Sequence, residues 1–105
     1  MVLEAALLQV RPGEEAAFEE AMRRAAPVIA GSPGYLRHDL RRCLETKGRY
    51  LLLVQWETLE AHTVGFRESP RFGEWRAIVG PFFAAPPVVE HYESVLSWPA
   101  AEAVS

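Results

Sequence analysis

Three histidines are the side chains of this sequence best suited to acid–base chemistry. His38, His62 and His91 carry imidazoles, which titrate near neutral pH and often act as general bases. No two of them have the close spacing that brings metal ligands together, so the sequence predicts no metal site. Two interpretations stay open for each histidine. It is a base that faces a cavity, or it is a structural residue bonded to a nearby polar group.

Aromatic side chains accompany these histidines along the second half of the chain. They can line an apolar pocket for a ligand, or they can fill an ordinary hydrophobic core. Both interpretations can be true of the same residue when the residues that line the pocket also belong to the core. The single cysteine, Cys43, excludes an internal disulfide and a cysteine-built metal site. The aromatic residues concerned are Trp56, Phe66, Phe72 and Trp75.

Composition and charge exclude several classes of protein. The 105 residues provide for one domain, and the formal net charge is −3 with 11 Lys and Arg. These basic residues are scattered, whereas nucleic-acid binding requires clustered positive charge, so no nucleic-acid partner is expected. No stretch reaches the roughly 18 apolar residues of a membrane span, and no basic segment precedes an apolar run at the N-terminus. We therefore expect a cytoplasmic protein without a membrane partner.

Hydrophobic periodicity predicts six main elements of secondary structure, the fifth of which is a helical region in two segments. Apolar residues at steps of three and four form a stripe along the first helix, and Pro27 is expected to kink that helix or loosen its last turn. Ser69 and Pro70 provide a cap and a first-turn proline for a later helix. The predicted elements are strand Val2–Val10, helix Glu14–Ala30, strands Tyr35–Leu44 and Tyr50–Trp56, helical segments after Thr58 and after Ser69, and strand Val88–Val95.

This β-α-β-β-α-β order predicts a ferredoxin-like α+β fold. Such a fold has a four-stranded antiparallel sheet with helices on one face. The strand Tyr50–Trp56 is apolar on both of its faces, which indicates a central strand and leaves apolar groups on the uncovered face. We therefore expect a homodimer in which two sheets meet face to face, with a cavity between sheet and helices.

Several short motifs, in this order along the chain, resemble one known family. They are Gly34-Tyr35, Arg49 to Glu57, Leu59 to His62, Phe66 to Phe72, Trp75, and Val89 to Tyr92. On these motifs the chain resembles the antibiotic biosynthesis monooxygenase superfamily of small dimeric α+β barrel proteins. The resemblance extends over nearly the whole chain, from Val2 to Val95.

The resemblance also implies a function. Superfamily members that oxidise polyketide quinol precursors use neither metal nor flavin, which implies a cofactor-independent monooxygenase with a small aromatic or quinol-like substrate. That chemistry needs a base, a dry aromatic pocket and donors that hold the substrate anion. The resemblance implies His62 or His91 as the catalytic base. For substrate binding it implies Trp56, Phe66, Phe72, Trp75 and Tyr92 as pocket walls and Arg71 or Gln55 as the anion partner.

Heme degradation is disfavoured by the same comparison of motifs. Heme-degrading relatives carry an Asn on the first strand, followed by a Trp and a His in the second helical region. The corresponding residues here are Ala6, Phe66 and Trp75, so no histidine stands where the axial ligand would be.

Two functions of different classes stay open at this point. One is the cofactor-independent monooxygenase, and the other is a non-catalytic small-molecule binding or stress-response protein that uses the same dimeric cavity. A titrating histidine that faces the cavity favours the enzyme, whereas histidines held in structural bonds favour the binding protein. The domain is expected to span residues 1–96, with a tail over residues 97–105.

Overall fold

The computed structural model describes residues 1–99, so residues 100–105 of the predicted tail lie outside the described residues. The element order is β-α-β-β-α-β, which confirms the predicted α+β fold. Short π-helical and 3₁₀ turns stand on either side of the second helix. The elements are β1 (Val2–Gln9), α1 (Glu15–Ala30), β2 (Tyr35–Arg42), β3 (Arg49–Trp56), the π-helical turn Ala61–Phe66, α2 (Pro70–Val79), the 3₁₀ turn Gly80–Phe82 and β4 (Val88–Tyr92).

The sheet has the strand order β2-β3-β1-β4, and every neighbouring pair is antiparallel. Strand β3 is therefore a central strand, as its apolar composition predicts. Strand β4 lies at an edge and pairs with β1 alone. Because side chains alternate across a strand, the register decides which residues share the helix-covered face. On β3 these are Tyr50, Leu52, Val54 and Trp56, all of which are buried.

Two helices cover this face of the sheet. Helix α1 contains Pro27 without ending there, and its last turn stays closed because the Gly31 N–H donates to the Pro27 carbonyl at 3.1 Å. Helix α2 begins at Pro70 directly after Ser69, as predicted. The buried stripe of α1 consists of Phe18, Ala21, Met22, Ala25 and Ile29.

Strand β2 departs from the simple alternation that the sequence predicts. A bulge at Leu36 shifts the pairing with β3, because one extra residue enters this strand. Leu36 is 44% exposed as a result, and Leu44 lies beyond the end of the strand at 89% exposed. Of the three leucines predicted on one face, only Leu40 packs against the core.

The segment between β3 and α2 is π-helical, where the sequence predicts an ordinary helix. The Thr58 hydroxyl caps it as expected, since its Oγ1 accepts a hydrogen bond from the Ala61 N–H at 3.1 Å. The Arg67 N–H donates to the His62 carbonyl, five residues earlier, at 2.9 Å. This wide turn buries both His62 and Phe66 against the sheet.

The second face of the sheet, which we call the outer face, stays exposed within residues 1–99. Leu7 pairs with Leu51 on one side and Val88 on the other, and these side chains are 41%, 37% and 57% exposed. Tyr92 lies on the same face opposite Leu3 and is also exposed. Within the described part of the chain, no helix is long and apolar enough to cross a membrane.

Candidate functional site

A cavity of about 660 Å³ lies on the helix-covered side of the sheet. The sheet forms its floor, and its walls come from the π-helical turn, α2 and the chain that leads into β4. Most of the lining is apolar, which suits a small organic ligand held by a few polar groups. The charged or titratable lining residues are Glu4, His62, Arg67 and Arg76.

Glu4 places a carboxyl group on the cavity floor. It lies on β1 between Val54 of β3 and His91 of β4, and it shares a sheet face with the buried Ala6. The side chain is only 7% exposed. The indole N–H of Trp56 donates to Oε1 of this carboxyl at 3.0 Å. The sheet register therefore brings an acid into an otherwise apolar layer.

Glu4 is not among the site residues predicted from the sequence. The signal was available, because Glu4 is the one charged residue of the predicted strand Val2–Val10 and has the same strand parity as Ala6 and Leu8. A charge on the inward-facing side of a central strand is rare unless it has a partner.

His62 enters the cavity from the π-helical turn, above Trp56. Its ring stacks on the indole with centroids 5.3 Å apart and an interplanar angle of 22°. Its Nε2 atom lies 3.3 Å from Oε1 of Glu4, and its Nδ1 atom lies 2.8 Å from Nε2 of His91. Both ring nitrogens of His62 therefore have a polar partner. We call the row Glu4–His62–His91 the proton chain.

Burial controls the protonation of these groups. Burial raises the pKa of Glu4 above its ordinary value, while the Trp56 hydrogen bond and the Arg67 charge act in the opposite direction. The pKa of His62 is lowered to about 4, chiefly by burial and in addition by the positive charge of Arg67 and by the neighbouring His91. Burial and Arg67 also lower the pKa of His91. Both imidazoles are therefore neutral at pH 7 and can accept a proton.

Two arginines stand at the rim of the cavity. Arg67 and Arg76 are exposed lining residues, and neither forms an ion pair with any residue among 1–99. A guanidinium without an acidic partner can bind an anionic ligand. Arg71 lies elsewhere, with its guanidinium so close to Gly31 that a β-carbon there would clash.

Half of the predicted site residues line this cavity. His62 lines it, and His91 contacts His62 from β4. Trp56 lies beneath His62. Tyr92 is on the outer face of the sheet, because it is one position from His91 and strand side chains alternate. The predicted aromatic walls that line the cavity are Phe66, Phe72 and Trp75.

The aromatic walls pack as a connected group. The rings of Phe66 and Phe72 meet edge to face with centroids 5.7 Å apart, and Phe72 stacks on Trp75 at 6.4 Å. Phe66 and Trp75 occupy two of the positions that correspond to heme-degrading residues, and Ala6 occupies the third; all three line the cavity. None of these side chains can ligate iron. Within residues 1–99, no group of three or more His, Cys, Asp or Glu side chains is arranged to hold a metal ion.

Comparison with known proteins identifies the family. The model for antibiotic biosynthesis monooxygenases matches residues 1–78, about three quarters of the chain. The chain belongs to the antibiotic biosynthesis monooxygenase family. The matched span includes β1, the π-helical turn and nearly all of α2. It therefore contains Glu4, His62 and the aromatic residues that line the cavity of this family member.

Two known proteins resemble the chain over most of its length. Uncharacterized protein YczJ of Bacillus subtilis (strain 168) is 50% identical over 95 residues, which cover 90% of this chain and 100% of YczJ. A crystal structure assigned to this family from Bordetella bronchiseptica is 43% identical, with a TM-score of 0.88, and the match covers 90% of this chain and 97% of that one.

A more distant structure shares the fold alone. SnoaB, a cofactor-independent oxygenase from Streptomyces nogalater, is 23% identical with a TM-score of 0.76, and the match covers 93% of this chain and 96% of SnoaB. At this level of identity, the likeness extends to the arrangement of strands and helices.

Proposed function

We propose that this protein is a cofactor-independent monooxygenase that oxidises a small phenol or quinol in the cavity. The observation that carries the proposal is the contact between Glu4 and His62, which places a carboxyl group beside a neutral imidazole in an aromatic-walled cavity. Membership of the monooxygenase family and the shared fold with the cofactor-independent oxygenase SnoaB support it.

The Glu4–His62 pair performs the acid–base steps. It takes the phenolic proton, and the resulting phenolate transfers one electron to O₂, which gives a phenoxyl radical and superoxide. These combine through a new bond between oxygen and a ring carbon that carries hydrogen, and the pair returns its proton to form a hydroperoxide. Loss of that ring proton and cleavage of the O–O bond release water and leave a quinone. The substrate thus loses two hydrogens and gains one oxygen, and no other reductant is consumed.

Arg67 provides the electrostatic part of the site. Its guanidinium lies at the rim, and its charge already lowers the pKa of both His62 and His91. A positive charge at this place stabilises a phenolate relative to the neutral phenol. Phe66, Phe72 and Trp75 would exclude water from the reacting ring. We assign to Arg67 the role of anion partner, for which the resemblance implied Arg71 or Gln55. Gln55 lies opposite Leu3 on the outer face of the sheet.

We further propose that the active form is a homodimer joined through the outer face. Leu7, Leu51, Val88 and Tyr92 form an exposed apolar surface on that face. A large apolar patch on a small domain is commonly covered by another protein surface. Two such faces packed together would support the floor of each cavity from below.

Oxygen consumption tests the proposed activity. The wild-type protein is assayed with a panel of naphthols, hydroquinones and anthrones beside Glu4→Gln, which keeps an acceptor for the Trp56 indole but cannot take the proton. We expect Glu4→Gln to lower kcat at least roughly 100-fold, the usual size of a general acid–base contribution. The matched control is Glu20→Gln, which changes an exposed carboxyl group on α1, away from the cavity and from the outer face, and should leave kcat unchanged. No oxygen uptake by the wild-type protein with any member of the panel would refute the proposal.

One observation favours the second candidate, a binding protein without turnover. Both ring nitrogens of His62 already have partners, as expected for a histidine with a structural role. A binding protein would retain the quinol unchanged under air, and Glu4→Gln would alter its affinity alone. Equilibrium binding together with product analysis by mass spectrometry separates the two candidates.

A further inference from the structure

The proton chain connects the inside of the cavity with the surface of the protein. Glu4 and His62 are buried lining residues of the cavity, at 5% and 2% exposed. His91 is half-buried, stands on the edge strand β4 and is not a lining residue. The row therefore starts at a carboxyl group inside the cavity and ends at an imidazole near solvent, with contacts of 3.3 Å and 2.8 Å.

His62 has a hydrogen bond to His91 and a 3.3 Å contact with Glu4, and together these permit two arrangements of protons. In the first, Nε2–H of His62 faces the Glu4 carboxylate, and Nε2–H of His91 donates to Nδ1 of His62. In the second, the protonated Glu4 carboxyl faces Nε2 of His62, whose Nδ1–H donates to Nε2 of His91. The second arrangement holds one more proton than the first, and that proton sits on Nδ1 of His91.

A proton relayed across these two contacts converts the arrangements into each other. A proton that arrives at Nδ1 of His91 displaces its Nε2 proton to Nδ1 of His62. The Nε2 proton of His62 then passes to the Glu4 carboxylate. The net result is a protonated Glu4, two neutral histidines and one proton fewer in the solvent. The reverse sequence deprotonates Glu4. Neither end state contains a charged imidazole.

We propose that His91 is the port through which the buried Glu4–His62 pair exchanges its proton with solvent while a ligand fills the cavity. An aromatic ligand displaces the cavity water that would otherwise carry protons, so the path through His91 remains. His91 is then a positioning residue that acts through His62. Its role in turnover rests on the proposed function, because only a proton-free pair can act as the base.

The surrounding charges favour the neutral form of both imidazoles on this path. Arg67 is the charged residue whose field reaches all three members of the chain, and Arg76 lines the same cavity from α2. From the sheet, Trp56 contributes a neutral indole donor to Glu4. A positive charge close by opposes an imidazolium intermediate, so the proton passes between two end states in which both imidazoles are neutral and does not rest on His62.

Nitrogen-15 NMR of the histidine rings tests the path without any turnover. The rate at which the His62 ring N–H exchanges with solvent is measured with the cavity empty and then filled with anthraquinone-2-sulfonate, a planar anion that cannot be oxidised further. The variant His91→Gln keeps a donor for Nδ1 of His62 but cannot pass a proton on. His38→Gln is the matched control, because His38 is bonded to the Tyr35 hydroxyl on β2 and lies outside the proton chain. Ala6→Phe, which fills the cavity from its floor, replaces the probe if the probe does not bind.

We expect the exchange rate to fall at least roughly tenfold in His91→Gln when the cavity is filled, and to change little in His38→Gln. Equal exchange rates in the wild-type protein and His91→Gln with the cavity filled would overturn the proposal, as would an equal slowing in His38→Gln. The exchange measurement tests the proton path whether or not the protein oxidises a quinol.

Turnover gives the second measurement. With a quinol that the wild-type protein oxidises, His91→Ala should lower kcat by roughly tenfold with KM unchanged, and added imidazole should restore it. A kcat that imidazole does not restore, or a rise in KM alone, would mean that His91 has only a structural role.

Discussion

The Nδ1 atom of His62 lies 2.8 Å from the Nε2 atom of His91, although 29 positions separate the two residues. The contact joins the π-helical turn to the edge strand, and it places the second histidine directly behind the first as seen from the cavity. The two histidines therefore form one hydrogen-bonded unit.

The stability of the fold should depend on pH through His62. Its pKa of about 4 in the folded protein is below the ordinary 6.5, so the unfolded chain takes up the proton first as the pH falls. The contribution is fully present above pH 6.5 and is lost between pH 6.5 and about 4, with a size of roughly 3 kcal/mol.

Urea denaturation of the wild-type protein and His62→Gln across this range measures the effect. Glu4, whose pKa is raised, contributes stability that declines as the pH rises above about 4.5, so the difference between the two proteins is the quantity to follow. We expect this difference in unfolding free energy to grow with pH up to 6.5 and then level off. A difference that is constant with pH would contradict the burial of a neutral His62.

Gly34 should be intolerant of a side chain because it holds the π-helical turn in place. Its φ is 87°, and an added β-carbon would lie 2.6 Å from the β-carbon of Ala61, next to His62. Gly13 has nearly the same φ of 84° but faces open space. Both Gly→Ala changes carry about 1 kcal/mol of backbone strain, and Gly34→Ala should cost about 2 kcal/mol more from the steric clash. Equal losses of stability in the two variants would show that the contact with Ala61 is unimportant.

A charge on the outer face should dissociate the proposed homodimer. Leu51 and Leu59 are 37% and 39% exposed, but only Leu51 lies on the outer face. Sedimentation velocity at micromolar concentration should find dimers of the wild-type protein and of Leu59→Asp, and monomers of Leu51→Asp. Wild-type protein that sediments as a monomer would remove the dimer from the proposal.

Arg67 should determine the affinity for aromatic anions. Arg67→Gln is expected to weaken the binding of anthraquinone-2-sulfonate about tenfold, or about 1.4 kcal/mol. Arg71→Gln removes the same charge from a place outside the cavity and should have no such effect. Isothermal titration calorimetry at low and moderate salt distinguishes the two, and equal affinities for both variants would assign the anion to another group.

The order of elements was predictable because it depends on local patterns. The apolar strand Tyr50–Trp56 and the Ser69-Pro70 helix start identify themselves within a few residues, and their order decides the α+β fold. The bulge at Leu36 was not predictable, because it depends on pairing with another strand. The π-helical turn was missed for a similar reason: its hydrogen bonds differ from an ordinary helix by one residue, while its apolar spacing does not.

The candidate site was predicted less completely than the fold. His62 and the aromatic walls stood out by type, whereas Glu4 became visible only through the register of β1. Arg67 and Arg71 could not be distinguished by sequence, since their positions depend on where the π-helical turn gives way to α2. The position of Tyr92 was partly predictable. Adjacent residues of a strand face opposite sides of the sheet, so His91 and Tyr92 could not both face the cavity.

The position of Trp56 gives the protein a built-in optical reporter. Its indole is stacked on the His62 ring and bonded to the Glu4 carboxyl, so its excited state is in contact with two members of the proton chain. A protonated imidazole quenches indole fluorescence and a neutral one does so far less. In a protein whose other two tryptophans are changed, Trp75→Phe and Trp98→Phe, the emission of Trp56 should therefore dim as the solution is acidified toward pH 4. It would then follow the charge of a buried ring in real time without any added label.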